Sequence, residues 1–196
     1  MRITALLCGS LFLACLGHAS IITYTATMNG LQETPPNVST GTGFATVTLD
    51  TVAQTLAVNE SFTGLIGGPG SAAHIHCCAD PGTPAGVAIP FPGFPAATSG
   101  TYSMTFDLTL SGTYLGTFVS GNGGTTASAE AALLSGLSAG KAYVNIHDQS
   151  FPSGEIRGQL AVTPEPSTWL MAGLALMMAG VWRGKRMLPA RAAVRA

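Results

Sequence analysis

The sequence predicts a mainly β chain: a small antiparallel β-sandwich or barrel with one short helix, flanked by a signal peptide and a C-terminal transmembrane helix. Three observations carry this. Several segments rich in Thr, Val, Tyr and Phe alternate apolar and polar residues, as half-buried strands do. Only 9% of the 196 residues are charged, while small residues are abundant, a composition suited to a strand-rich exported protein. Apolar runs also stand near both ends. The length allows one domain of ordinary size besides such segments.

The elements follow in order. After Met1 and Arg2, "ITALLCGSLFLACLG" is a short apolar stretch, and "GHAS" places small residues at Gly17 and Ala19. Residues 1–19 read as a secretory signal peptide cut after Ala19. Cleavage before Cys15 is the weaker alternative, because Phe12 stands where a small-branched aliphatic is usual. Cys8 and Cys15 leave with the signal, so the mature chain carries Cys77 and Cys78 into an oxidising compartment. In the domain at 20–163, "ITYTATM" reads as a strand. "GFATVTLD" puts Ala45, Val47 and Leu49 on one face; after a "DTVA" connection, "QTLAVNESF" does the same with Leu56, Val58 and Phe62. "TYSMTFDLTL" and "GTYLGTFV" read as further strands. "ASAEAALLSGL" is the expected helix, with Glu130 near its positive end. "KAYVNIHD" and "GEIRGQLAV" form a hairpin across "QSFPS". "ADPGTPAGVAIPFPGFPAATSG", with five prolines and with Phe91 and Phe94, is a stiffened loop that lids a site or covers a sheet edge.

Charge narrows the partners. Between Ser20 and Thr163, two basic residues stand against eight acidic ones, a net charge of −6. Such a domain repels phosphate backbones, which excludes nucleic acid as a natural partner. Five of the remaining basic residues, from Arg183 to Arg195, crowd into the last fourteen positions.

Just before that cluster, Trp169 to Trp182 is an uninterrupted apolar run bounded by tryptophans, as at membrane interfaces. Fourteen residues rise about 21 Å as a helix, short of a bilayer core of about 30 Å. Pro164, Glu165 and Pro166, the apolar run and the basic residues to Arg186 together resemble a PEP-CTERM sorting signal, 164–186. That resemblance implies recognition by an exosortase in a Gram-negative bacterium. It also implies a transient inner-membrane anchor, then release to the periplasm, cell surface or extracellular matrix. A short basic tail, 187–196, extends beyond what the pattern requires.

"GLQETPP", "GFATVTLD", "FTGL", "AAHIH", "AALLSG", "AYVNIHD" and "GEIRGQL", in that order, resemble the CHRD domain, a module named from chordin and common in bacterial exported proteins. The resemblance spans about Ile22 to Val162. It implies hallmark positions at Gln32, Glu33, Pro35, Pro36, His74, His76, Asn145, His147, Gly154, Glu155, Arg157 and Gly158. Glu60 departs from it, standing where the family usually has an aliphatic residue. A carboxylate on that inward face must find a partner or take up a proton.

The chemistry concentrates in "AHIHCC". Alternation places His74 and His76 on one face of a strand, and Cys78 joins them if the strand continues. The third histidine of the domain, His147, ends "AYVNIH" with Tyr143 and Asn145 on its side. Where those two strands neighbour each other, the three imidazoles converge as ligands for copper or zinc. Asp148, Glu155 or Cys78 then completes the set, or a carboxylate fixes a tautomer. The alternative is that the histidines only hydrogen-bond loops. For the cysteines three readings stay open: a strained disulfide between neighbours or a link between chains, free thiols, and thiolate ligation. Glu155 and Arg157 read as an ion-pair network pinning the hairpin. No nucleophile elbow, phosphate loop or Ser-His-Asp arrangement is present, which argues against a hydrolase.

The function expected is that of an exported surface or matrix binding module, not an enzyme, with copper or zinc as its ligand. Exosortase is the sorting partner, and extracellular polysaccharide or surface proteins are the others. The alternatives are a copper-dependent oxidoreductase of superoxide-dismutase-like character and a structural or adhesive matrix protein without metal.

Overall fold

The computed structural model describes residues 21–164, together with 173, 174 and 176–178. The expected signal peptide, Glu165 and Pro166, most of the apolar run and the basic tail lie outside the described residues. Among the described residues no helix is long and apolar enough to cross a membrane.

Nine strands form one sheet that curls into a half-barrel. They are β1 (Ile21–Asn29), β2 (Thr42–Asp50), β3 (Thr55–Thr63), β4 (Ala72–Cys77), β5 (Val87–Pro90), β6 (Gly100–Asp107), β7 (Ala142–His147), β8 (Ile156–Gln159) and β9 (Ala161–Val162). All their pairings are antiparallel, in the order β5-β4-β7-β8-β1-β2-β3-β6, with β9 also on β1. Two helices, α1 (Gly116–Gly121) and α2 (Thr126–Ser138), stand between β6 and β7. The mainly antiparallel β architecture expected from alternation is present as a single curved sheet.

Register explains the core. Val47 pairs with Val58 and Leu49 with Leu56, so both apolar stripes point into the half-barrel, where all four are buried. The turn between β2 and β3 is Thr51–Gln54, one residue later than expected. Asp50 ends β2 and accepts the N–H groups of Val52 and Ala53 at 2.9 Å, which closes the turn. The acid at position 60 also points inward, opposite Ala45 and Tyr102, and is 3% exposed.

The helix α2 starts on a capping box in which Thr125 accepts from Ser128 N–H and Ser128 accepts from Thr125 N–H. Its buried stripe, Ala129, Leu133, Gly136 and Leu137, has helical spacing and joins the core beside β4 and β7. Gly136 faces a disulfide between Cys77 and Cys78, and a Cβ there would collide with Cys77 Sγ. Alanine normally favours a helix interior over glycine by about 1 kcal/mol. Gly136→Ala is nevertheless expected to destabilise the protein by about 2 kcal/mol, because overpacking against the bridge outweighs that preference. Urea unfolding of the variant checks the sign, and a stabilised variant would contradict the packing.

Two segments depart from expectation. "GTYLGTFV" is a 3₁₀ turn (Ser111–Thr113) followed by α1, not a strand. Its two aromatics, Tyr114 and Phe118, are four residues apart and both buried, with stacked rings 6.2 Å apart. That is helical spacing, and tertiary burial overrides the strand propensity of Thr and Tyr. Inside the proline-rich segment, "VAIP" forms β5 and covers the edge of β4. Where the sheet fails to close, a cleft of about 710 Å³ opens between β4–β5 and β6, lined by Phe91, Phe94, Met104, Phe106 and Leu110 among others.

Candidate metal centre

The strands β4, β7 and β8 have two unlike faces. On one, Ala73, Ile75, Cys77, Val144, Ile146 and Ile156 belong to the apolar core. On the other, His74 lies opposite Asn145, His76 opposite Tyr143, and Asn145 opposite Arg157, with His147 opposite Ala72. This second face is polar yet enclosed: His76, Asn145 and Arg157 are 7%, 2% and 3% exposed. The segment carrying Glu33, the β4–β5 loop and the β7–β8 loop contribute contacts over it.

The three imidazoles meet there. Ring centroids are 5.5 Å apart for His74 and His76, 5.0 Å for His74 and His147, and 6.0 Å for His76 and His147. One ring nitrogen from each lies within 4.8 Å of the other two. His76 Nδ1 is 2.8 Å from the Ala85 carbonyl oxygen and His147 Nδ1 is 3.0 Å from that of Pro152. A carbonyl oxygen only accepts, so both Nδ1 atoms carry the proton and both Nε2 atoms present a lone pair. Those Nε2 atoms, and His74 Nδ1, are buried without a hydrogen bond.

Electrostatics keeps the cluster neutral. Burial, then the neighbouring His147 and His76, lowers the pKa of His74 to about 4. Burial also lowers His76 and His147, opposed in each by the bond to its carbonyl. The charge of Asp148 adds to that opposition at His147. Beside the histidines, burial raises the Glu33 carboxyl to about 7 against the opposing field of Arg157. A Cβ at Gly154 would run into Glu33 Oε1 and come within 2.8 Å of Asn145 Nδ2, so only glycine lets that loop close over the carboxyl.

The remaining residues expected at the site are placed elsewhere. Cys78 is not on the histidine face: β4 ends at Cys77, and Cys78 is bonded to its neighbour with its Sγ 3.4 Å from the Ala132 carbonyl of α2. The bridge within the chain removes the free-thiol, thiolate-ligand and interchain readings. Glu155 is fully buried but faces the 64–67 loop, accepting from Ser39 Oγ at 2.5 Å, Ile66 N at 2.7 Å and Gly67 N at 3.3 Å. It does not pair with Arg157, because β8 begins at Ile156 and Glu155 lies outside the ladder. Arg157 instead stacks 3.4 Å above the Tyr143 ring centroid and donates to Thr34 Oγ1 and the Thr83 carbonyl. Asp148 accepts the N–H groups of Ser150 and Phe151 at 2.8 Å through Oδ1, while Oδ2 is buried without a partner.

Sequence reasoning missed the two carbonyls that set the tautomers, since any residue carries one; only the clustering of Pro and Gly after "AHIHCC" hinted that this loop folds back. Of the eight buried side-chain polar atoms without a partner among the described residues, five border the histidine face, on Glu33, His74, His76, Asn145 and His147, and a sixth is Asp148 Oδ2 beside Gly67. Native proteins rarely leave so many together, and such a group signals an ion, a water or a function.

The comparisons agree with the resemblance drawn from the motifs. A family model described as the CHRD domain matches residues 24–160, and one described as the PEP-CTERM protein-sorting motif matches residues 162–186. Among curated proteins and among solved structures, none matches the chain.

Proposed function

We infer that this chain, which belongs to the CHRD domain family, binds a transition metal on an exported surface protein. Its PEP-CTERM motif implies export to the cell envelope and processing by exosortase. The metal site is our reading of the domain. A single observation carries it: three imidazoles, each with a buried ring nitrogen free of hydrogen bonds, bring one nitrogen apiece within 4.8 Å of one another. The two locked tautomers and the neutrality of all three rings support it, because neutral imidazole is the ligating form. An all-nitrogen set favours copper or zinc over magnesium or calcium, which prefer oxygen.

Zinc-bound nitrogens at about 2.1 Å lie roughly 3.4 Å apart in a tetrahedron, so loading is expected to draw the rings slightly together. Asp148, adjacent in sequence to His147, supplies negative charge without being a ligand. Three protein ligands leave one position for water or a small ligand, the usual composition of an open zinc site.

The test is metal content of the purified protein after separate loading with zinc and with copper. About one ion per chain is expected, lost in His74→Ala, His76→Ala and His147→Ala variants that retain the fold. Uptake that is absent, or unchanged when all three histidines are replaced, contradicts the reading and leaves the histidines as loop anchors.

A further inference from the structure

We propose that Tyr143 is the positioning residue of the histidine cluster, holding His76 through the backbone of Ala85. The inference rests on the metal reading above but concerns the metal-free protein as well. Tyr143 and His76 are cross-strand partners on β7 and β4. Their rings stack at 4.7 Å with planes 2° apart. Stacking fixes the plane of the imidazole but leaves it free to flip, so it does not choose which nitrogen faces the cluster. The hydroxyl makes that choice. Ala85 N–H donates to Tyr143 Oη at 3.2 Å, and the carbonyl of the same residue accepts from His76 Nδ1 at 2.8 Å. One side chain therefore sets both the plane of the ring and the acceptor that orients it.

The far side of Tyr143 is clamped as well. Arg157 lies 3.4 Å above the ring centroid and donates to the Thr83 carbonyl, two residues before Ala85. The chain Arg157–Tyr143–Ala85–His76 thus ties the β4–β5 loop to the sheet and delivers His76 Nε2 as an acceptor. His147 has no such clamp in the structure: its Nδ1 bonds the Pro152 carbonyl directly. The cluster accordingly contains one ligand positioned by a side chain and one positioned by its own loop.

Tyr143→Phe separates the two actions, because it keeps the stacked ring and removes the hydroxyl. In the metal-free variant, the imidazole nitrogen resonances of His76 are expected to move from the Nδ1–H pattern toward an average of both tautomers, with His147 unchanged. Zinc affinity is expected to fall about tenfold, the usual scale for removing an outer-shell partner. Tyr143→Leu, lacking the ring too, is expected to lose more. A Phe variant whose His76 resonances and zinc affinity match the wild type overturns the proposal. If wild-type protein takes up no zinc, the metal reading fails, while the metal-free spectra still decide the role of Tyr143.

Discussion

Replacing Glu60 with leucine is expected to stabilise the protein, by an amount that grows with pH. Both carboxyl oxygens are buried without a hydrogen bond, on the inward face shared with Leu56, Val58 and Phe62. Burial raises the carboxyl from 4.5 to about 8, so it holds a proton in the folded state at neutral pH. The sign follows from linkage. Between those two values the folded chain keeps a proton that the unfolded chain has released, so raising the pH favours unfolding. The cost of Glu60 is thus smallest below about pH 4.5 and complete above about pH 8. Each pKa unit is worth about 1.4 kcal/mol. At low pH the gain in Glu60→Leu reduces to removal of an unsatisfied neutral group, about 1–3 kcal/mol, and at pH 8 it is several kcal/mol. Urea unfolding of both proteins at pH 5, 6.5 and 8 checks this; a gain that is flat across the series, or a loss, contradicts the buried protonated acid.

Metal is expected to stabilise the folded protein strongly, and to keep doing so in mild acid. At zinc a hundredfold above its dissociation constant, the gain is about 2.7 kcal/mol. For a domain of this size that corresponds to a rise in melting temperature of roughly 5–10 °C. An exposed histidine site loses metal as protons compete near pH 6.5. Here desolvation and the neighbouring imidazoles hold His74 down to about 4, and burial lowers the other two, so competition starts later. In the metal-free protein the depressed pKa values act on stability directly. Their contribution is complete above about 6.5 and is lost as pH falls through the folded values, because the unfolded histidines take up protons first. Melting curves with zinc and with chelator at pH 7.5 and 6.0 are expected to differ by a similar shift at both. A shift that vanishes at pH 6.0 contradicts a desolvated site.

Strand alternation made part of this legible in advance. Ala45, Val47 and Leu49 could be assigned to one face because period two admits a single inward set, and the same argument paired His74 with His76. It also flagged Glu60, as the one carboxylate in an apolar series. What alternation cannot supply is which strands are neighbours. That β4 pairs with β7 is a contact across about seventy residues, and the meeting of His147 with the other two depends on it entirely. The Glu155–Arg157 pair failed for a related reason: a shared face requires both residues to be in the strand, and the ladder begins between them. "GTYLGTFV" misled because Tyr114 and Phe118 lie an even number of residues apart, which period two and period 3.6 both accept over so short a run.

The two ends of the domain leave it side by side. Tyr24 near the start of β1 pairs with Val162 of β9, and Thr163 N–H donates to the Thr23 carbonyl at 2.8 Å. Because these strands are antiparallel, tension between the termini loads the hydrogen bonds one at a time, in the manner of a zipper. Its first break is at Thr163, followed by the two residues of β9, before anything reaches β8. The histidine face and the core lie behind that weak leading edge. A domain pulled from its C-terminal side thus has a short strap that peels away first, ahead of the strands that carry the histidines.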